Sequence, residues 1–166
     1  MGPLNQIRQK LFLKKDLVLQ VQAWKAEGKR IVFTNGCFDI IHPGHIDYLA
    51  KASGLGDKFI IGVNTDQSVQ KLKGPTRPIQ DENARVLILG AMGFTSAIIL
   101  FDDDTPAALI ADLKPDILVK GADYSVDQIA GADTVLKNGG SVVLLPYLKG
   151  YSTSALEARI QNHHKD

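Results

Sequence analysis

Two histidines flank a glycine in the segment His42-Pro43-Gly44-His45, and their spacing suits phosphate chemistry. Side chains three residues apart share one face of a helical turn, so both imidazole rings can donate to the same anion. Pro43 suits a first helical turn, whose unpaired backbone N–H groups carry a partial positive charge. Gly44 lacks a side chain that would block close approach. These groups predict a site that stabilises the charge which develops during nucleotidyl transfer.

The predicted reaction requires no general base from the protein. A sugar-phosphate nucleophile is already anionic near neutral pH, because its second pKa is about 6. Two isolated histidines would more often be ordinary turn residues, but these two follow a strand and open a helix. Zinc binding is disfavoured, because the histidines lack the i, i+4 spacing of helical zinc sites and Cys37 is not spaced as a ligand partner.

The elements around the two histidines predict an α/β fold. An apolar strand over residues 31–34 precedes them, and a helix over residues 43–52 follows. Further strands are predicted over residues 59–63, 97–101, 117–119 and 142–145, with helices beginning near Glu82 and Thr105. This alternation indicates a single Rossmann-like, doubly wound parallel sheet of about five strands with helices on both faces. Ligands then bind at the carboxyl ends of the strands.

The length of 166 residues, 45% of them hydrophobic, fits one compact domain. Helical spacing over residues 17–25 ends at Gly28. We therefore predict an N-terminal helical arm over residues 1–28, the main domain over residues 29–162, and a flexible tail over residues 163–166. The tail histidines, His163 and His164, are expected to have no function.

Charge and composition limit the partners of the chain. The formal net charge is +1, so no broad field favours nucleic acid or an anionic membrane. No apolar run approaches the roughly 20 residues of a membrane span, and the N-terminus lacks the apolar core of a signal peptide. Cys37 is the only cysteine. A reducing cytoplasm is the expected location.

Three segments carry a resemblance to a known family. Cys37-Phe38-Asp39, the HxGH segment and Tyr151-Ser152-Thr153-Ser154 resemble motifs of the nucleotidylyltransferase superfamily, in its cytidylyltransferase-like branch. Other segments are similar to the adenylyltransferase domain of bacterial ADP-heptose synthases: Phe33-Thr34-Asn35-Gly36, Leu72-Lys73-Gly74, Arg77-Pro78, Asp104-Thr105-Pro106 and Lys120-Gly121-Ala122-Asp123-Tyr124. Glu157 departs from the pattern, because it stands where the family motif has an arginine.

The resemblance implies a reaction and its participants. AMP would pass from magnesium ATP to a heptose 1-phosphate, giving ADP-heptose and pyrophosphate for lipopolysaccharide or other surface glycans. ATP would be a substrate and Mg²⁺ its cofactor. A homodimer or higher homo-oligomer is expected, and a separate heptose kinase would supply the acceptor.

The resemblance also implies roles for individual residues. His42, His45 and Lys73 are the predicted catalytic residues, and no protein group is predicted to bind metal. The predicted nucleotide-binding residues are Asn35, Gly36, Cys37, Phe38, His42, Gly44, His45, Asn64, Asp66, Lys120, Gly121, Asp123, Tyr124, Tyr151, Ser152, Thr153 and Ser154. The predicted substrate-binding residues are Lys71, Lys73, Arg77, Arg85 and Thr105. Arg85 also has a reason of its own, since a cation at a helix start calls for an anionic partner.

Structural alternatives remain for several of these residues. The hydroxyl run 152–154 and Asp66 are also typical of helix caps, and each basic residue could simply be solvated. The run Asp102-Asp103-Asp104 resembles a magnesium cluster but is interpreted as a cap region bordering the sugar pocket. Two other functions also stay open. One is a cytidylyltransferase acting on glycerol 3-phosphate or a similar small phosphate, and the other is a nonenzymatic nucleotide-binding module.

Overall fold

The computed structural model describes residues 2–163 and contains one five-stranded sheet. Its strands are β1 (Ile31–Gly36), β2 (Lys58–Asn64), β3 (Ala97–Phe101), β4 (Ile117–Gly121) and β5 (Ser141–Leu145). They are all parallel, in the order β3-β2-β1-β4-β5. The strands are rich in Ile, Val and Phe because helices cover both of their faces. The predicted doubly wound α/β fold is confirmed.

Eight α-helices surround the sheet in the described residues. They are α1 (Pro3–Arg8), α2 (Lys14–Ala26), α3 (Pro43–Ser53), α4 (Asp66–Lys73), α5 (Glu82–Ala91), α6 (Ala107–Leu113), α7 (Ala132–Lys137) and α8 (Thr153–His163), with a short 3₁₀ helix at Val126–Gln128. The helix predicted near Thr105 begins at Ala107, with Pro106 at its N-cap position. None of the described helices is long and apolar enough to span a bilayer.

Two hydrophobic clusters separate the faces of the sheet. On one face, α2, α6 and α7 pack side chains such as Trp24, Leu109 and Val135 against the strands. On the other face, α3 and α5 do the same with Leu49 and Leu89. The helices therefore bury most of β1 to β4, whereas the edge strand β5 is partly buried throughout.

The N-terminal residues pack onto this domain. Leu17, Val21 and Trp24 of α2 are buried in its core. Leu11 forms a parallel bridge with Ile98, so this segment covers the outer edge of β3. The predicted boundary at residue 28 stays a prediction, although α2 shares the core of the domain. Of the predicted tail, residues 164–166 lie outside the described residues.

Strands β1 and β4 separate towards their carboxyl ends. Every residue of β1 is in register with β2, but β1 pairs with β4 only at Val32 and Phe33. Side chains bridge the widening gap: Thr34 Oγ1 donates to the Val119 carbonyl (3.0 Å), and Lys120 Nζ donates to the Asn35 carbonyl (3.3 Å). The order of the sheet reverses at this point, so the gap opens where doubly wound folds bind ligands.

Candidate active site

A pocket of about 450 Å³ lies at the carboxyl ends of the first four strands. Its volume is in the range of small-molecule sites. Eleven of the residues predicted from sequence line it, namely Asn35, Gly36, Cys37, Phe38, His45, Asn64, Lys73, Lys120, Gly121, Tyr124 and Thr153. They come from distant parts of the chain, and the parallel sheet brings them to one edge.

The two histidines of the HxGH segment stack at the start of α3. Their ring centroids are 3.9 Å apart, with 29° between the planes. His42 is the N-cap residue, and its Nδ1 accepts a hydrogen bond from the His45 backbone N–H at 3.4 Å. A neutral His42 therefore carries its proton on Nε2, where it can be donated. His45 lines the pocket, and His42 lies directly behind it.

His45 is held neutral and lacks a hydrogen-bond partner for one nitrogen. Burial, assisted by the neighbouring His42 and Lys73, lowers its pKa to about 4. Its Nδ1 and the Oδ1 of Asn35 are buried with no partner among residues 2–163. Native proteins pair nearly all such groups, so these two atoms are available to bond a ligand or water in the pocket.

The turn between β1 and α3 has an unusual backbone at Phe38. This residue has a φ of 51°, in the left-handed region that bulky side chains rarely adopt. Its ring fills the space that a Cβ on Gly36 would enter, with ring atoms 3.1 Å from that position, and it meets His45 edge-on at 5.7 Å between centroids. Gly36 thus makes room for Phe38, whose ring supports His45.

Arg85 holds this turn from beneath, which corrects its predicted role. The side chain is fully buried and donates to the carbonyls of Cys37 (2.7 Å), Asn64 (2.7 Å) and Gln80 (3.1 Å). It also forms an ion pair with Asp66 at 2.7 Å. The prediction that Arg85 binds substrate phosphate is wrong, because its guanidinium is fully buried and donates to three carbonyls and a carboxylate of the chain itself.

Asp66 and Thr65 share the beginning of α4. The Thr65 hydroxyl accepts from the Ser68 backbone N–H (3.2 Å) and caps the helix. The alternative interpretation of Asp66 as the cap is therefore wrong. Its contact with a nucleotide stays a prediction, and its carboxylate is already paired with Arg85.

Asp39 connects the turn between β1 and α3 to the segment before α5. Its carboxylate accepts from the backbone N–H groups of Ile79 (2.8 Å) and Gln80 (2.9 Å) and pairs with Arg77 at 2.8 Å. Burial opposes ionisation, but these donors outweigh it and lower the Asp39 pKa. Arg77 also pairs with Glu157 of α8. Its predicted contact with substrate stays a prediction, because two carboxylates already hold the guanidinium.

Comparison with known proteins agrees with this geometry. Residues 33–158 match the model of the family described as "Cytidylyltransferase-like". The chain belongs to this family. Among curated relatives, the "Bifunctional protein HldE" of Azorhizobium caulinodans is 50% identical over 149 residues, covering 90% of this chain and 31% of that protein. The Gluconobacter oxydans protein of the same name is 51% identical over 142 residues, covering 86% of this chain and 30% of that protein.

A solved structure shares the fold. The crystal structure of "the lipopolysaccharide core biosynthesis protein from Thermoplasma volcanium GSS1" has a TM-score of 0.58 and 30% identity, covering 75% of this chain and 100% of that one. The predicted membership of the nucleotidylyltransferase superfamily is confirmed. The chain spans about 30% of the length of the two bifunctional relatives.

Two lysines give the site of this cytidylyltransferase-like domain its positive charge. Lys73, the last residue of α4, lines the pocket. Lys120 lies 5.9 Å from the centre of the Tyr124 ring, and burial lowers its pKa to about 8. Lys71, by contrast, is half exposed and pairs with Asp102 at 3.7 Å. It does not line the pocket, so its contact with substrate stays a prediction.

Glycines at two predicted positions make room for protein groups. A Cβ on Gly121 would overlap the Tyr147 hydroxyl and lie 2.6 Å from a carboxylate oxygen of Asp123. A Cβ on Gly44 would lie 3.0 Å from the His42 ring and 3.3 Å from Tyr151 Cβ. Gly44 thus makes room for His42 and Tyr151, and its predicted role in ligand approach stays a prediction.

The hydroxyl run before α8 divides between capping and the pocket. The Ser152 Oγ accepts from the Ala155 backbone N–H at 3.1 Å, so its interpretation as a cap is confirmed. Thr153 lines the pocket, whereas Tyr151 and Ser154 are exposed. Thr105 is also exposed and does not line the pocket, although the residues on either side of it do.

Seven pocket residues were not predicted as ligand contacts. They are Asp39, Tyr48, Leu72, Phe101, Asp104, Pro106 and Tyr147. Tyr48 follows His45 by three residues, so the rule that paired the histidines would also have found it. Its hydroxyl lies 2.8 Å from Thr34 Oγ1. Tyr147 lies in the loop after β5, where the sequence carries no comparable signal.

Proposed function

We propose that this chain transfers the AMP part of ATP to a heptose 1-phosphate, giving ADP-heptose and pyrophosphate for lipopolysaccharide or another surface glycan. The stacked His42 and His45 at the start of α3 carry the proposal. They lie where β1 and β4 separate, and the unpaired Nδ1 of His45 shares the pocket with the unpaired Oδ1 of Asn35. Identity of about half to two HldE proteins, and 30% identity to a lipopolysaccharide core biosynthesis protein, favour this acceptor class.

His45, which lines the pocket, and the Nε2–H of His42 behind it would stabilise charge on the phosphates. An oxygen of the acceptor phosphate attacks the α-phosphorus of ATP, the bond from that phosphorus to the bridging oxygen breaks, and pyrophosphate leaves. The acceptor oxygen is anionic near neutral pH, so no residue has to remove a proton. A neutral His45 donates one N–H to a phosphate oxygen, and Lys73 adds positive charge.

The gap between β1 and β4 is the proposed nucleoside site. Lys120 and Gly121 form one side of it and Asn35 the other. The unpaired Oδ1 of Asn35 would accept a hydrogen bond from the ribose or the base. Tyr124 offers a ring face for stacking, with Asp123 beside it.

The acceptor sugar is proposed to bind in the same pocket, beside Lys73. Lys73, Asp104 and Pro106 all line the pocket, and Lys73 would bind the acceptor phosphate. A carboxylate can accept hydrogen bonds from sugar hydroxyls. Lys71 and Thr105 flank these residues and would contact the sugar phosphate only at the rim.

Magnesium is proposed to enter on the triphosphate. No group of three or more His, Cys, Asp or Glu residues within residues 2–163 is arranged to hold a metal. Of the two carboxylates that line the pocket, Asp39 is bound by Arg77 and backbone amides, which leaves Asp104. Mg²⁺ commonly takes one or two carboxylates and completes its shell with phosphate oxygens and water, so the pocket fits such an ion. It would neutralise phosphate charge.

The remaining partners belong to the same proposal. A heptose kinase must make the 1-phosphate, either as a separate protein or as another part of a longer chain. A cytoplasmic location and a homo-oligomer are proposed with it.

One panel of reactions tests the function. The purified chain is given ATP or CTP, each with heptose 1-phosphate, another sugar 1-phosphate or glycerol 3-phosphate, and pyrophosphate is measured. We expect release with ATP and heptose 1-phosphate. Release with CTP and glycerol 3-phosphate alone would replace the proposal with the cytidylyltransferase alternative. Nucleotide binding without pyrophosphate release from any pair would indicate a nonenzymatic module.

A further inference from the structure

Helix α8 has few apolar contacts to hold it. None of residues 153–162 is buried, and Ile160 is 53% exposed. Leu156 is its one partly buried aliphatic side chain within that range. Hydrophobic packing normally provides most of the stability of a helix in a protein, so α8 must depend on other contacts for its position.

The start of α8 nevertheless lies against the turn between β1 and α3 and the HxGH segment that follows it. Thr153 lines the pocket. Tyr151, two residues earlier, is so near the HxGH segment that a Cβ on Gly44 would be 3.3 Å from the Tyr151 Cβ. Any displacement of α8 would therefore move Thr153 relative to His45.

A chain of ion pairs connects α8 to that turn. Glu157, in the second turn of α8, pairs with Arg77, and Arg77 pairs with Asp39 at 2.8 Å. We call the two ion pairs the Glu157–Arg77–Asp39 relay. The Asp39 side chain is 1% exposed and that of Arg77 is 17% exposed, so water screens the relay much less than it screens a surface ion pair. Asp39 is itself fixed by the backbone N–H groups of Ile79 and Gln80.

We propose that Glu157 is a positioning residue, which acts through Arg77 and Asp39 to hold Thr153 of α8 beside His45 when ATP is bound. The same contacts have a competing interpretation, in which Glu157 merely withholds Arg77 from a substrate phosphate. The two interpretations predict opposite effects of removing the Glu157 charge. Positioning predicts weaker ATP binding, and withholding predicts tighter binding.

The test compares Glu157→Gln with a matched control, Asp133→Asn. The control makes the same acid-to-amide change in the Asp133–Lys137 pair, whose side chains are 72% and 78% exposed. We expect Glu157→Gln to speed amide hydrogen exchange along α8 and to raise the Kd for ATP about fivefold to tenfold, the net contribution of a typical hydrogen bond. The control is expected to change neither quantity. Unchanged exchange along α8, or unchanged or tighter ATP binding, would overturn the proposal.

A double-variant cycle checks that Glu157 acts through Arg77. Arg77→Lys keeps the charge but loses the fork that reaches two carboxylates. If the relay is one unit, adding Arg77→Lys to Glu157→Gln weakens ATP binding little further. Fully additive losses would show that the two residues act independently and would contradict the relay.

This inference rests on the proposed function only in taking ATP as the ligand. Hydrogen exchange and ATP binding require neither acceptor nor turnover. If the wild-type chain binds ATP but releases no pyrophosphate with any sugar phosphate, the proposed function fails while the relay stands. If pyrophosphate forms but Glu157→Gln leaves α8 and ATP binding unchanged, the relay fails while the function stands.

Discussion

Replacing His45 by alanine is expected to reduce turnover strongly while changing the free energy of unfolding by less than about 2 kcal/mol. The variant removes the one imidazole that both lines the pocket and has an unpaired nitrogen. Loss of a single donor to the developing charge in acyl transfer costs about 2.7–4 kcal/mol of transition-state stabilisation. By analogy, we expect kcat to fall by a factor of about 10² to 10³.

The effect on stability follows from two opposing contributions. The stack with His42 and the edge contact with Phe38 are each worth about 0.5–1.5 kcal/mol, and both are lost. The unpaired Nδ1 of His45 costs about 1–3 kcal/mol in the wild-type chain, and that cost disappears. The two contributions offset each other, so the free energy of unfolding should change by less than about 2 kcal/mol.

The assay measures pyrophosphate release at saturating ATP and urea unfolding on the same preparations. Lys51→Ala is the matched control, because Lys51 lies on the same helix, is half exposed and pairs with Asp47. It should leave kcat unchanged and cost no more than about 0.5 kcal/mol of stability. A folded His45→Ala variant with wild-type kcat would refute the catalytic role. A loss of stability well above 2 kcal/mol would show that the ring is mainly structural.

Three further outcomes are expected. Lys73→Met should raise the KM for the sugar phosphate about tenfold in steady-state assays, because a charged hydrogen bond is lost. A rise confined to the KM for ATP would instead assign Lys73 to the nucleotide. Arg85→Met should lower the free energy of unfolding in urea by about 3–5 kcal/mol, because it leaves the carbonyls of Cys37 and Asn64 and the charge of Asp66 unpaired. A loss below about 1 kcal/mol would contradict the role of this buried network. Between the ordinary His45 pKa of 6.5 and its folded value of about 4, the unfolded chain binds a proton that the folded chain does not. Stability should therefore fall as the pH drops through this window, and urea midpoints at about pH 7 and pH 5 should differ less in His45→Ala than in the wild-type chain.

The fold could be predicted because its strands are short apolar runs bounded by polar residues. The predicted strand over residues 97–101 coincides with β3, and the others differ from the observed strands by one or two residues at an end. The separate helix α7 was missed, since six residues are too few to show a helical period. Residues 10 and 11 cover the outer edge of β3 through a contact with Ile98, and no local sequence pattern predicts this contact.

In the candidate site, too, local sequence patterns predicted some features, whereas others depend on tertiary contacts. Residues 35–45 lie within one strand–turn–helix unit, so local rules placed them together. Arg85 shows the limit of those rules. A cation in the first turn of a helix does require an anionic partner, as predicted, but that partner is Asp66 of another helix rather than a ligand phosphate. Local electrostatics predicts that such a cation needs an anionic partner, whereas tertiary structure decides which anionic group lies beside it.

The groups that hold the turn between β1 and α3 in place lie largely outside the HxGH motif itself. Phe38 holds a left-handed backbone beside the two histidines, and such a conformation persists only when its surroundings enforce it. Arg85 binds the carbonyl of Cys37 on one side of Phe38, and Asp39 fixes the other side through backbone amides 40 residues away in sequence. A preorganised donor stabilises a transition state because it need not move when charge develops. The HxGH residues can therefore supply the donors, but Arg85 and Asp39 keep those donors in place.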